Sequence, residues 1–226
     1  MSFSSTAVRG AKNPVIEFNG TQREAFRKQE KPGLTGRAGL PMTGYLRGMT
    51  IAADASLLSV SGPAPQVHET AFVASGARLV GDVRIGEGAS VWYNAVVRGD
   101  SAAITLGAGS NLQDNVSVHV DVDSPVVIGE NVSVGHNAVV HGCTIGDGSL
   151  IGMGSVVLSG VVIGAGCLIA GGAVVLEGSV IPDGSLVAGV PAKVRRQLSD
   201  DERAGILRNA QIYRTHSANH AAAAPA

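Results

Sequence analysis

The chain has 226 residues, a formal net charge of −1 and a pI near 6.6, so nothing in its overall charge draws it to nucleic acid or to an anionic membrane surface. With 31 glycines, 45% apolar residues and only 4% aromatics, its core has to be built from small and β-branched side chains. Two cysteines, Cys143 and Cys167, exclude a disulfide framework and fit a reducing compartment.

Residues 1–62 come first, as an extension with no repeat. Within residues 1–50, eight Lys or Arg stand against three Glu, a basic stretch that fits organelle targeting or a solvated, partner-binding arm. From residue 63 to 192 the pattern changes. Stepping by six from Val67 gives Val73, Leu79, Ile85, Val91 and Val97; stepping by six from Ile145 gives Ile151, Val157, Ile163, Ile169, Val175, Ile181 and Val187. Neither an α-helix nor a flat sheet needs that period, whereas a solenoid whose strand and turn together use six residues does. Three such hexads make one triangular coil, with one aliphatic side chain per hexad on the axis. The predicted fold is therefore mainly β: a left-handed parallel β-helix of roughly six to seven coils. A C-terminal α-helix and an irregular or helical N-terminal extension flank it.

The hexad slips near Ala103 and around residues 119–128 and 134–139, where loops are expected to leave the prism and function tends to sit. The uncharged stretch 148–176, with GxxxG from Gly160, imitates a membrane span. Its regular glycines and its valine and isoleucine content point to strands instead, so no transmembrane span is expected. Residues 193–226 close the chain. Ser199 and Glu202 form a capping box, Ile206, Leu207, Ala210 and Tyr213 form one buried stripe, and the helix is expected to lie back along the prism before the tail frays.

Three of the six histidines fall inside the prism: His119, His136 and His141. His119 and His136 are separated by about one coil, which predicts stacking on one face at roughly 5 Å. His141 lies five residues further on, near the next corner. One prism would struggle to wrap all three around a point, because adjacent faces diverge, but a second copy packed against that edge could complete the set. Three imidazoles and a water are the ligand set of a catalytic zinc site. The expectation is a metal at a subunit interface, in a trimer, with imidazole suiting zinc or iron.

Four stretches, "GDVRIGEGASVWYNAVVRGD" (81–100), "SNLQDNVSVH" (110–119), "VGHNAVVHGCTIGDGSLIGMGSVV" (134–157) and "IPDGSLVAGVPAKVRR" (181–196), together resemble the γ-class carbonic anhydrases. The resemblance covers about residues 63–215. It implies metal-hydroxide hydration of CO2 to bicarbonate, with Zn2+ or Fe2+ bound by His119 and His141 of one subunit and His136 of its neighbour. It further implies an intersubunit ion pair of Arg98 and Asp100, and pocket amides Gln113, to orient the hydroxide, and Asn111, to help position it or the substrate. Asp114 is read as a turn anchor. Where the family's founding member has an acidic loop, this chain has "VDVDS", so Asp121 and Asp123 are weak substitutes for a proton shuttle; after the RGD it has Ser101 in place of a glutamate. The segments "SLLSVSGPAPQVHETAFV" and "LSDDERAGILRNAQIYRTHSANHA" are similar to the carbonic-anhydrase-like subunits of mitochondrial complex I. That similarity implies a homo- or hetero-trimer on the matrix side of the inner membrane, with complex I membrane-arm subunits as partners; the alternative location is cytoplasmic. Two other readings stand beside the enzyme: a structural assembly subunit with an idle site, and an acyl-CoA thioesterase or acyltransferase on the same prism.

Overall fold

The computed structural model describes residues 50–60 and 62–223; the basic amino-terminal stretch and residues 224–226 lie outside them. The described chain winds as a parallel β-solenoid of about seven coils, the left-handed β-helix expected, followed by one helix.

Three faces make the prism. On the first run β3 (Phe72–Val73), β5 (Ser90–Val91), β7 (Asn111–Leu112), β10 (Ser133–Val134), β13 (Leu150–Ile151), β16 (Leu168–Ile169) and β19 (Ser185–Gly189). The second holds β1 (Ser56–Leu58), the first half of β4 (Arg78–Ile85), the first half of β6 (Val96–Leu106), β8 (Ser117–His119), β11 (Val139–His141), β14 (Val156–Val157) and β17 (Val174–Val175). The third holds β2 (Gln66–Val67), the second halves of β4 and β6, β9 (Val126–Ile128), β12 (Thr144–Ile145), β15 (Val162–Ile163) and β18 (Val180–Ile181). Because β4 and β6 run around a corner, the second and third faces form one twelve-stranded sheet. β4 turns at Gly81, where φ is +79° and a Cβ would lie 2.2 Å from the Gly99 carbonyl oxygen. An antiparallel strand, β20 (Ala192–Gln197), pairs with β19 and closes the upper end.

In each two-residue strand of the upper coils the first side chain faces out and the second, the hexad residue, is buried on the axis. Burying each such aliphatic side chain contributes about 1.5–3 kcal/mol, and repetition along the axis makes the core. Buried serines beside the hexads are satisfied by the turns: Ser110 Oγ donates to the Gly129 carbonyl and accepts from the Val132 N–H.

Two details differ from the sequence reading. The prism begins before residue 63, since Ile51 bridges Val73 and β1 pairs with β4; residues 58–66 break the hexad step and hide this first coil. The third slip lies later than 134–139: Val134 and Val140 keep the step of six, and the missing residue falls between Val140 and Ile145, at the corner carrying His141.

Coil length follows from the corner between the first and second faces. Residues of positive φ turn it at Gly76, Asn94, Asn115, Asn137, Gly154 and Gly172. The first and last of these intervals are regular triple hexads. The coils from Asn94 to Asn115 and from Asn115 to Asn137 are longer, and the one from Asn137 to Gly154 is shorter. The two long coils carry their extra residues at the opposite end of the second face, around Gly99–Ala103 and 120–125.

Helix α1 (Asp200–Ala221) opens on the expected capping box of Ser199 and Glu202 and lies back over the first face, against β10, β5 and β3. Its buried residues are Ile206, Ala210 and Ser217, while Tyr213 is half-buried. Leu207, expected in the buried stripe, is 44% exposed because it packs only at the rim, beside Gly148. Trp92 anchors the end of the helix, with ring centroids 5.3 Å from Phe72, 5.4 Å from Tyr213 and 4.9 Å from His220. Among the described residues, no helix is long and apolar enough to cross a membrane.

Candidate metal centre

The histidines occupy two ends of the second face. β8 and β11 pair with His119 directly opposite His141, 22 residues apart, and the ring nitrogens His119 Nδ1 and His141 Nε2 face each other at 2.9 Å. A regular coil of three hexads would have stacked His119 near His136, as the spacing predicted; the loop 120–125 lengthens the coil and brings His141 there instead. His136 lies in the turn after β10, at the other corner, in the column whose lower members are Tyr93 and Asp114. Among the described residues, no three His, Cys, Asp or Glu side chains of one chain converge as a metal-ligand set.

Each histidine has one nitrogen held by an acid or a hydroxyl. His119 Nε2 is 3.2 Å from Asp100 Oδ1, and Asp100 Oδ2 takes Arg98 Nη1 at 2.5 Å. The Arg98 guanidinium, helped by His119 and opposed by burial, holds the Asp100 carboxyl below the ordinary Asp range. His141 Nδ1 is 2.9 Å from Ser159 Oγ and 3.5 Å from Asp121 Oδ2. His136 Nδ1 is 3.0 Å from Asp114 Oδ2, and its Nε2 is 3.2 Å from the Tyr213 hydroxyl on α1. Burial and the nearby Asp114 charge push the Tyr213 hydroxyl above the ordinary phenol range, which keeps it a donor.

The donor chemistry fits a cation. A carboxylate only accepts, so the Asp100 contact draws the proton of a neutral His119 to Nε2 and leaves Nδ1 bare. At the far end Ser159 Oγ donates to Asp121 Oδ2 at 2.7 Å, so His141 Nδ1 donates to Ser159 and Nε2 is bare. Two lone pairs then meet at 2.9 Å, an arrangement that calls for a shared proton or a metal ion between or beside them.

The remaining predicted residues separate by corner. Asn111 and Gln113 are buried on the first face and the turn that follows it, next to the Asp114–His136 column rather than beside the His119–His141 pair. Gln113 Nε2 donates to Asn111 Oδ1 at 3.1 Å, and Asn111 Nδ2 donates to Ser133 Oγ at 3.0 Å. Asp114 anchors its turn, accepting the Tyr93 N–H as well as touching His136. Asp121 is engaged with Ser159, while Asp123 sits at positive φ in the exposed loop. Ser159, 18 residues beyond His141, escaped the motif reading, although one regular coil above a candidate ligand is where a neighbour stacks. Two grooves of about 250 and 350 Å3 flank α1 and include none of the three histidines.

Residues 125–159 and 142–177 match the family described as Bacterial transferase hexapeptide (six repeats). Over 173 residues the chain is 43% identical to "Gamma carbonic anhydrase 1, mitochondrial" of Arabidopsis thaliana, covering 74% of this chain and 63% of that protein. A carbonic anhydrase of Geobacillus kaustophilus is 41% identical over 141 residues, 62% of this chain and 78% of that one. A crystal structure of a hexapeptide transferase family protein from Anaplasma phagocytophilum superposes with a TM-score of 0.70 at 37% identity, covering 77% of this chain and 99% of that one. The match spans less than two thirds of the first and second Arabidopsis γ carbonic anhydrases, 63% and 59% of their lengths.

Proposed function

The chain belongs to the γ-class carbonic anhydrase family, and from that premise we propose that it hydrates carbon dioxide to bicarbonate at a metal shared between neighbouring copies. The observation that carries this reading is the His119–His141 pair, whose bare nitrogens face each other while Asp100 and Ser159 hold the far sides. His119, His141 and a neighbour's His136 would hold zinc or iron(II). When bound, such an ion supplies a Lewis acid that lowers the pKa of water from about 15.7 to about 7.

This chain's residues supply the rest. Asp100 keeps the His119 proton on the outer nitrogen, and Arg98 fixes Asp100 in turn. Asp114 does the same for His136, so that Nε2, which meets the Tyr213 hydroxyl, is the bare nitrogen. Gln113, held by Asn111, orients the attacking oxygen from the His136 side of the interface, and Asn111 helps to place it or the substrate. Asp121 and Asp123 lie on the loop by which a proton would leave.

The two half-sites favour a ring. One corner carries His136 and the other carries the pair, so the contact that joins unlike corners is head-to-tail and closes into a ring when each copy is turned by a third of a circle. A triangular cross-section suits three copies. Between the corners the second face presents Val96 and Val139, both exposed, in one column with Ser117, Val156 and Val174, a mostly apolar stripe a neighbour would cover. The mitochondrial names of the Arabidopsis relatives and the basic amino-terminal stretch support a mitochondrial location. Within it, our reading puts the assembly on the matrix side of the inner membrane, against the membrane arm of complex I.

The test is complementation. Neither His119→Ala nor His136→Ala alone should retain metal or hydration activity. Co-refolded in equal amounts, they should recover about a quarter of the sites, because only an intact pair meeting an intact His136 is complete. No recovery, with a native mass of one chain, would sink the shared site. Full metal occupancy without hydration would favour the assembly subunit.

A further inference from the structure

His141 is gripped from the coil above and the coil below. Ser159, in the turn after β14, brings its Oγ within 2.9 Å of Nδ1, and Asp121, in the loop after β8, reaches 38 residues along the chain to take the same hydroxyl at 2.7 Å. Asp121 Oδ2 also lies 3.5 Å from Nδ1. A serine hydroxyl has one proton, and a carboxylate can only accept. With that proton on Asp121, Ser159 offers His141 only lone pairs. Nδ1 must then carry hydrogen and Nε2 must be bare, facing His119.

We propose that Ser159, held by Asp121, is a positioning residue that fixes the tautomer and ring orientation of His141 for metal binding. This rests on the shared-metal reading above. It also changes what the "VDVDS" acids do: Asp121 is taken up by orientation. His119 gets the same service from Asp100 directly, so the two ligands of one chain are oriented by different chemistry, a bare carboxylate for one and a hydroxyl backed by a carboxylate for the other. Outer partners of this kind typically set metal affinity by about 10–100-fold.

Three measurements on the full chain test it. In the metal-free protein, 15N-histidine NMR should show His141 protonated at Nδ1, and Ser159→Ala should move it toward the Nε2–H form. A competition titration with Zn2+ should find S159A and Asp121→Ala each weakened by about 10–100-fold, and Ser159→Thr, which keeps the hydroxyl, restored to within about threefold. The hydration loss in D121A should persist in concentrated imidazole buffer, whereas loss of a proton relay would be rescued by it. A wild-type Nε2–H tautomer, unchanged zinc affinity in S159A, or buffer rescue of D121A overturns the assignment. A wild-type chain that shows the Nδ1–H tautomer and takes up no metal overturns the shared-metal reading on which it rests.

Discussion

The coils above residue 145 and those below it are made from the same hexad and do different work. Above, the axis residues Ile145 to Val187 never miss a step, every strand from β12 to β19 has a partner directly beneath it, and the corners are turned mostly by glycine. Below, two overlong coils are followed by a short one, and Arg98, Asp100, His119, Asp121, His136 and His141 all lie in them. Regular winding stacks like upon like, and Ser159, at the lower edge of the regular half, reaches the histidines only because the loop below meets it. Residues added at one corner leave the prism as a loop, which carries Asp121 back to Ser159 and His141, and that is how a monotonous repeat acquires a site.

The largest expected effect breaks the regular half. Ile163→Ala removes a buried axis side chain with no mobile neighbour to fill the gap, and urea unfolding should show a loss of about 2–5 kcal/mol. Deleting residues 121–124 restores the six-residue step between Val118 and Ile128 and tests the irregular half. Loop shortening should change stability by only about 1 kcal/mol, and with His119 and His141 then one regular coil apart and still in register, zinc binding should weaken only by the about 10–100-fold that loss of Asp121 costs. Complete loss of zinc would mean that the loop does more than carry Asp121 to Ser159.

A smaller effect lies at the start of α1. Arg196, followed by the Ser199 N–H, holds the exposed Glu202 carboxyl down to about 2 from 4.5. A depressed carboxyl stabilises above its unfolded pKa, so this contact is complete above pH 4.5 and is lost as pH falls from there toward 2. Circular dichroism should show Glu202→Gln flattening that acid limb, with added salt acting in the same direction. The smallest effect is Leu207→Ser, within about 0.5 kcal/mol by thermal melting, since this side chain packs only at the rim and is nearly half in solvent.

The prism was legible because its rule is local: one aliphatic residue every six positions, imposed by a narrow axis, as Ile151, Val157 and Ile163 show. What spacing alone misjudged was addition along the chain. It took the step from His119 to His136 as one coil, whereas the register there sets partners 22 residues apart, and that difference decides which histidine stacks on which. The family resemblance had already put His119 and His141 on one chain, and the structure brings those two together. Asn111 and Gln113 were found as a pair but not assigned to a corner, because that requires the register of the first face. Ser159 carries no motif at all, and its role exists only where three successive coils meet.

The Tyr213 hydroxyl on His136 Nε2 gives the carboxyl-terminal helix a stake in the other half-site. Anything that takes that nitrogen has to displace a phenol whose helix is pinned by Trp92 and, through His220, by Tyr93. Occupancy and helix pose are therefore linked quantities, and linkage runs both ways: what loosens the helix changes affinity at His136, and what binds His136 changes the helix. A fusion or truncation at the carboxyl end, remote from His136 in sequence, would be felt at that imidazole.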